Sequence, residues 1–407
     1  MQRHGKTRPT FDTICARAGQ GERDGEPLVP PIVQSTTFCR DGLESSAQHR
    51  YSRESNPTVS ALERALGELE DAGPAVCFGS GLAAETCLFL ALLARGDHVV
   101  CSRALYGGTT RLLQRIFARL GVETSFVDST DAGAVERALR PRTRLVFVET
   151  PANPTLDLTD LRAVARIARR AGARLAVDNT FLTPVLQQPL ELGADVAVYS
   201  TTKFLEGHST ALGGALVTRD AELAEELRFA RKCTGGIQAP FPAWLTLLGL
   251  KTLPLRIRRQ SQSAERIAHW LHEHPQSEVV HYPTAPGSRI ADLARRQHLG
   301  AHGAVVSFEL EGGAPRAREV LRHVRLCRLV EHVGSVETLL THSASMTHGG
   351  VAPEERERAG VTEGLLRLSV GLEDPDSIVA DLDQAIRASA AAAGANEEAA
   401  PCPATSA

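Results

Sequence analysis

Short apolar runs alternate with helical patterns through the first half of the chain. Five runs have the length and composition of buried strands: Ala75–Phe78, His98–Cys101, Leu145–Val148, Leu175–Val177 and Val196–Tyr199. The segments between them read as helices, such as Leu161–Ala171, which follows a polar cap and precedes Gly172. Strands that alternate with helices predict an α/β fold with a mainly parallel sheet covered on both faces. Ligands of such sheets collect beyond the carboxyl ends of the strands, where Gly79, Glu149, Asp178 and Ser200 lie.

The pattern changes on both sides of this region. A long helical pattern from about Leu255 to His274 leads to a part of the chain with two further predicted strands, Ala304–Leu310 and Leu365–Val370. The first sixty residues are rich in proline and have little periodicity. We therefore expect an extended N-terminal arm (1–60), a large domain (61–254), a smaller α/β C-terminal domain (255–388) and a disordered Ala-rich tail (389–407).

Composition excludes several classes of protein. The 45 Lys and Arg residues nearly balance 48 Asp and Glu residues, so no basic field indicates nucleic acid or an anionic membrane. No apolar stretch approaches the about 20 residues that cross a bilayer, and the N-terminus does not resemble a secretory signal. Eight scattered Cys without a Cys-x-x-Cys pair argue against a disulfide framework or zinc ribbon, and favour a cytoplasmic protein.

The candidate chemistry centres on Lys203, which follows a predicted strand and has Ser200 and Thr202 beside it. Asp178 ends the neighbouring predicted strand, where a carboxylate is costly unless it is paired. An amine for a Schiff base, a carboxylate for a pyridine nitrogen and hydroxyls for a phosphate are the requirements of pyridoxal phosphate. The alternatives are a solvated surface lysine and an aspartate that caps the next helix.

A second motif, Gly79-Ser80-Gly81-Leu82, follows a strand and opens a helix. Its free amides and the helix dipole suit a phosphate, although an ordinary tight turn would use the same glycines.

Tyr106 and Arg367 are the other residues with candidate chemistry. Tyr106 precedes two glycines, so its ring could stack on a planar cofactor and its phenol could move a proton; a core aromatic residue is the alternative. Arg367 interrupts an apolar strand, where it would bind a substrate carboxylate or form a structural salt bridge. His342 and His348 lack metal-ligand spacing, and the chain has no Gly-x-Ser-x-Gly elbow, so neither a metal site nor a serine hydrolase is predicted.

These motifs, in this order, resemble the Cys/Met-metabolism or transsulfuration enzymes of fold type I, from about Pro30 to Ile386. The motifs are Tyr51-Ser52-Arg53, Asn56-Pro57-Thr58, Ser80-Gly81-Leu82, Leu105-Tyr106-Gly107-Gly108-Thr109, Pro151-Ala152-Asn153-Pro154, Val177-Asp178-Asn179-Thr180, Ser200-Thr201-Thr202-Lys203, Ser335-Val336-Glu337-Thr338-Leu339 and Leu366-Arg367-Leu368-Ser369-Val370-Gly371.

The resemblance implies a role for each matching residue. Lys203 would form the Schiff base, Tyr106 would stack on the ring, and Asp178, with Thr180 after it, would hold the pyridine nitrogen. The phosphate would contact residues of the same chain, Gly81, Leu82, Ser200 and Thr202, and of the adjacent subunit, Tyr51 and Arg53. The family is usually a homotetramer built as a dimer of dimers. Arg367, Asn153 and the backbone at Ser335 would bind the α-carboxylate of a small amino-acid substrate.

The reaction within the family depends on fewer positions. Glu337 stands where β-lyases usually place Tyr, and Arg111 matches enzymes that bind a distal carboxylate, so the chain is similar to cystathionine γ-synthases and γ-lyases. Methionine γ-lyases resemble the chain around Glu363-Gly364-Leu365 but carry Cys at Gly108. Arg50 replaces a usual acid and would repel a distal amino group, which favours acylated or phosphorylated homoserines. A non-catalytic scaffold protein would have to retain every cofactor position without use.

Overall fold

The computed structural model describes residues 9–21 and 23–398. The strands of the first sheet are β1 (Val76–Phe78), β2 (His98–Ser102), β3 (Glu123–Val127), β4 (Thr143–Glu149), β5 (Arg174–Asp178), β6 (Val196–Tyr199) and β7 (Gly214–Val217). The helices up to the end of this sheet are α1 (Phe11–Ala16), α2 (Pro57–Leu69), α3 (Gly81–Leu92), α4 (Gly107–Arg111), α5 (Ala132–Ala138), α6 (Leu161–Arg170) and α7 (Thr183–Leu186). Helix α4 continues as a π-helical turn, Leu112–Phe117, and a 3-10 turn, Ala118–Leu120.

Within these residues the first sheet has seven strands in the order β1-β7-β6-β5-β4-β2-β3. Strand β7 is antiparallel to both neighbours, and all other pairs are parallel. Strands β1, β2, β5 and β6 present alternate side chains to two hydrophobic clusters, one that includes α3 and one that includes α2 and α6. The mainly parallel sheet covered on both faces is therefore confirmed.

The five predicted strands are all present, within two residues of their predicted ends. The apolar pattern did not predict β3 or β7. Strand β3 is a half-buried edge strand without an apolar run, and β7 is a short Gly-Ala-Leu-Val segment beside other glycines. Strand β3 lacks a run of buried apolar side chains, and β7 has only two large ones, Leu216 and Val217, after its glycine and alanine.

The second half of the described chain forms another sheet. Its strands are β8 (Ser277–His281), β9 (Val305–Leu310), β10 (Arg328–Leu329), β11 (Leu339–His342) and β12 (Leu366–Ser369), in the order β10-β11-β12-β9-β8. The remaining helices are α8 (Ala221–Thr234), α9 (Pro240–Leu250), α10 (Leu253–Glu273), α11 (Ala291–Gln297), α12 (Gly313–His323), α13 (Pro353–Arg358) and α14 (Pro375–Glu398). Helices α10, α12 and α14 contribute to a separate hydrophobic cluster with this sheet.

Two features stand out near the ends of the described residues. Helix α14 continues to Glu398, ten residues into the segment that composition predicts to be disordered, because alanine has the highest helix propensity. The rest of that predicted tail, 399–407, lies outside the described residues. In the N-terminal arm, the short helix α1 packs against α2 and α10, and an isolated bridge joins Thr37 to Tyr51.

Candidate functional site

A cavity of about 280 Å³ lies at the carboxyl edge of the first sheet and reaches β12 of the second. Eleven of the sixteen residues to which the sequence assigns a site role line it: Gly81, Leu82, Tyr106, Arg111, Asn153, Asp178, Thr180, Ser200, Thr202, Lys203 and Arg367. The carboxyl ends of the parallel strands bring these distant segments together.

Asp178 ends β5 at the bottom of this cavity and is 9% exposed. Its Oδ1 accepts the Thr180 amide at 2.9 Å, and the Thr180 hydroxyl oxygen accepts the Ser200 amide at 2.9 Å. Burial raises the pKa of Asp178, whereas its hydrogen bonds with Thr180 oppose that rise. These bonds fix the carboxyl group, and a buried cation would stabilise its charged form.

The first turn of α3 approaches the Lys203 turn closely. A Cβ atom at Gly81 would lie 3.0 Å from the Ser200 Cβ, so a side chain there would crowd the serine. The Gly81 and Leu82 amides begin the helix and have no intrahelical acceptors. The Thr202 hydroxyl donates to the Gly213 carbonyl at 3.1 Å and accepts the Gly213 amide at 3.0 Å. The amides and the Ser200 hydroxyl together can hold an anion.

Lys203 points its amine into the cavity. Burial, and then the Arg367 charge, lower the pKa of Lys203 to about 8. Its Nζ lies 3.2 Å from His332 Nδ1. A lysine with this pKa supplies a much larger fraction of free amine near neutral pH than a solvated lysine, as a nucleophile or base requires.

Glu149 joins the two sides of the cavity. Its Oε2 accepts the Tyr106 amide at 2.7 Å, and its Oε1 accepts the Asn153 amide at 3.1 Å. Asn153 Oδ1 then accepts Arg367 Nη1 at 2.7 Å. Burial, and then the Asp178 charge, raise the pKa of Glu149 well above its ordinary value. One buried carboxyl group therefore positions the tyrosine and, through Asn153, the arginine.

Arg367 is 2% exposed and is held by hydrogen bonds to Asn153, the His332 carbonyl and Thr341. Burial lowers the pKa of Arg367 to about 10. Its Nε is buried and has no hydrogen-bond partner among the residues that the structure describes. A guanidinium held in this way can bind a carboxylate.

Arg111, at the end of α4, is a second guanidinium that lines the cavity. It lies against Gly107 and Gly350, and forms no hydrogen bond or ion pair with any other residue in the described ranges. Its charge is therefore available to an anionic group.

The other five residues with a predicted site role do not line the cavity: Arg50, Tyr51, Arg53, Ser335 and Glu337. Arg53 stacks over the Tyr51 ring at 5.4 Å and donates to the Lys232 carbonyl at 2.8 Å. Arg50 donates to the Ser45 carbonyl at 3.1 Å.

The other two lie beside the second sheet. Ser335 is buried, its carbonyl accepts Gln260 Nε2 at 2.7 Å, and its hydroxyl donates to the exposed Glu337.

Four ionisable residues of the cavity received no site role from the sequence: Glu85, Glu149, Glu331 and His332. The sequence could have indicated a site role for Glu149, because it ends a buried apolar run as Asp178 does. In the structure the two residues pair in register on neighbouring strands. Glu85 is an acid within the apolar helix α3; burial raises its pKa to about 8. Glu331 and His332 lie on a loop without any periodic pattern.

Comparison with known proteins identifies this arrangement. The model of the family described as Cys/Met metabolism PLP-dependent enzyme matches residues 12–387. The chain belongs to this family. It is a pyridoxal-phosphate-dependent enzyme of the transsulfuration type with the α/β architecture of fold type I.

Relatives with different reactions are similar to the chain to nearly the same degree. It is 42% identical to cystathionine γ-lyase of Bacillus subtilis, over 90% of the chain and 95% of that protein. It is 40% identical to O-succinylhomoserine sulfhydrylase of Pseudomonas aeruginosa, over 93% of the chain and 95% of that protein. Among solved structures, the chain is similar to cystathionine γ-synthase of Xanthomonas oryzae pv. oryzae in complex with cystathionine. The two are 40% identical and superpose with a TM-score of 0.92, over 95% of this chain and 100% of that one. These relatives share one family and differ in their reactions.

The residues present fit the family's cofactor. The buried Asp178 carboxyl group lines the same cavity as a lysine of lowered pKa and a helix start whose first amides can hold a phosphate. Among residues 9–21 and 23–398, no helix has both the length and the apolar character needed to span a membrane.

Proposed function

We propose that this enzyme catalyses γ-elimination or γ-replacement on a sulfur-containing or O-acylated homoserine-type amino acid, as cystathionine γ-lyases and γ-synthases do. The observation that carries the proposal is the presence of two guanidinium groups in one cavity: Arg367 is fixed by Asn153, and Arg111 has no partner among the described residues. An amino acid with an anionic group at each end would engage both. Methionine γ-lyase or O-acylhomoserine sulfhydrylase activity, in general or specialised metabolism, is the alternative.

We propose the cofactor contacts that the family resemblance implies, and the lining of the cavity supports them. Asp178, held by Thr180, would bind the pyridine nitrogen, and the Tyr106 ring would lie against the cofactor. The start of α3, with Gly81 and Leu82, would bind the phosphate together with Ser200 and Thr202. When bound, pyridoxal phosphate supplies an aldehyde that couples reversibly to amines and a ring that accepts electrons from the substrate carbon.

The residues of the chain then move the protons. Lys203 Nζ accepts the proton that leaves the substrate α-carbon, a task suited to an amine whose pKa is about 8. The Tyr106 phenol assists proton movement beside Lys203. Arg367 holds the α-carboxylate, so that the α- and γ-carbons stay in fixed positions relative to the lysine.

Arg111 would select the distal group of the substrate. A carboxylate at that end, as in a succinyl ester, would pair with Arg111. Arg50 and Glu337 do not line the cavity of their own chain. We propose that they reach a substrate only at its entrance or from a neighbouring subunit.

The position of Tyr51 and Arg53 supports a homo-oligomer. Tyr51 and Arg53 belong to the extended arm and lie outside the cavity of their own chain, and Tyr51 is 44% exposed. We propose that they complete the phosphate site of a second copy, in a homotetramer arranged as a dimer of dimers.

A substrate panel tests the proposed function. Purified enzyme is incubated with cystathionine, methionine, homocysteine and acylated homoserines, each with and without cysteine or sulfide. We expect 2-oxobutanoate or a γ-substituted product, and exclusive release of pyruvate would refute γ-carbon chemistry.

The variant Arg111→Gln tests whether Arg111 binds the distal carboxylate, with methionine as the control substrate. The variant should lose affinity for O-succinylhomoserine and keep its affinity for methionine, because only the former has a distal carboxylate. Equal losses on both would refute the proposed role of Arg111. A preference of the wild type for methionine would support the alternative activity.

A further inference from the structure

The loop Glu331–Gly334 packs directly on the turn that carries Lys203. Gly334 has φ of +91°, and a Cβ atom there would lie 3.1 Å from the Lys203 Cα. Its amide donates to the Ser369 hydroxyl at 2.9 Å, and the His332 carbonyl accepts Arg367 Nη2 at 3.0 Å. Two residues of β12 therefore fix this loop against the lysine.

Among residues 9–21 and 23–398, the His332 ring makes one polar contact, which is with the lysine amine. Nδ1 of the ring lies 3.2 Å from Lys203 Nζ. A protonated lysine has only hydrogen-bond donors, so Nδ1 must be the acceptor and the ring hydrogen must lie on Nε2. Nε2 is buried and has no hydrogen-bond partner within the described part of the chain. A buried nitrogen without a partner is uncommon in a residue that serves packing alone.

The charges around the ring keep it neutral. Burial, and then the Lys203 and Arg367 charges, lower the pKa of His332 to about 4, and Glu337 acts in the opposite direction. The Glu331 charge, on the same loop, acts to raise the pKa of Arg367. Through the pH range in which Lys203 titrates, His332 is therefore a constant acceptor and not a competing cation.

We propose that His332 is a positioning residue for Lys203: its neutral imidazole holds the free lysine amine through Nδ1 and sets the pH at which that amine loses its proton. This inference rests on the proposed role of Lys203. The imidazole does not need to touch the substrate, because it acts on the reaction through the lysine. A hydrogen bond accepted from the ammonium group favours the charged form, so loss of the acceptor lowers the pKa of the lysine.

The pH dependence of cofactor uptake tests the inference. The full-length protein, freed of cofactor, is mixed with pyridoxal phosphate, and the rate of uptake is followed by visible absorbance between about pH 6 and pH 10. The rate rises with the fraction of free Lys203 amine, and titration of the cofactor itself is the same for every variant. We expect His332→Phe to lower the midpoint by about one pH unit. His332→Asn, whose Oδ1 restores an acceptor near the Nδ1 position, should keep the wild-type midpoint.

His298→Phe is the matched control, because His298 is also a buried imidazole with a strongly lowered pKa but contacts His302. It should leave the midpoint in place. If His332→Phe does not fold, His332→Ala removes the acceptor without adding bulk.

Two results would overturn the inference: equal midpoints in wild type and His332→Phe, or an equal shift in the Asn and Phe variants. Uptake itself, and its loss in Lys203→Ala, reports on the proposed function, whereas the midpoint shift reports on His332. A wild-type protein that takes up no cofactor would overturn both.

Discussion

Replacement of Glu149 by glutamine should disturb both ends of the cavity. The Glu149 carboxyl group accepts two backbone amides, from Tyr106 at 2.7 Å and from Asn153 at 3.1 Å. A glutamine side chain has one acceptor oxygen and one amide nitrogen, so one buried backbone N–H must lose its partner. An unsatisfied buried donor costs about 1–3 kcal/mol. If the whole of that free energy is lost from the stabilisation of the transition state, kcat/KM decreases by about 5- to 150-fold.

Glu85→Gln is a matched control for this prediction. Glu85 is another buried carboxyl group of the same cavity, but its one hydrogen bond in the described residues is from the Thr109 hydroxyl to Oε2, at 2.7 Å. A glutamine oxygen can accept that bond, so we expect a change in kcat/KM of no more than about threefold. Steady-state kinetics and thermal unfolding of both variants provide the measurement. Equal losses in the two variants would refute the view that Glu149 acts through its two backbone bonds.

Three further predictions follow from the charges and the arm. Burial raises the pKa of Glu85 from 4.5 to about 8, so its contribution to stability is complete below pH 4.5 and is lost as the pH rises through 8. Glu85→Gln should therefore gain stability relative to the wild type as the pH rises from about 5 to about 8, measured by urea unfolding without cofactor; a constant difference would contradict the raised pKa. Arg367→Lys keeps the charge but loses the planar guanidinium, and should raise KM about 10- to 100-fold with a smaller effect on kcat; an effect on kcat alone would contradict its role in carboxylate binding. Lys203→Ala and Arg53→Ala should each be inactive and should recover partial activity when co-expressed, whereas no recovery would argue against a site shared between subunits.

The sequence predicted the position of the site because the fold class carries that information. Parallel strands end at one edge, so Asp178, the last residue of β5, and Lys203, which follows β6, lie together there. The apolar runs of the buried strands supplied the sheet, whereas β3 and β7 lacked such runs and were missed.

The sequence did not predict contacts that depend on side chains from unrelated segments. The bond of Glu149 to the Tyr106 amide joins positions 43 residues apart, which meet only in the folded protein. The contact of His332 with Lys203 joins positions more than a hundred residues apart. His332 lies on a loop whose sequence has no hydrophobic periodicity. Motif order indicated that Ser335 and Glu337 belong to the site, but motif order does not show which residues face the cavity.

The most direct test of the account is to find the lysine that binds the cofactor. The chain has four lysines, Lys6, Lys203, Lys232 and Lys251, so borohydride reduction of the loaded enzyme followed by peptide mass mapping distinguishes them clearly. The account predicts a phosphopyridoxyl group on the peptide that contains Lys203. Its appearance on another lysine, or on none, would contradict the assignment of this cavity as the active site.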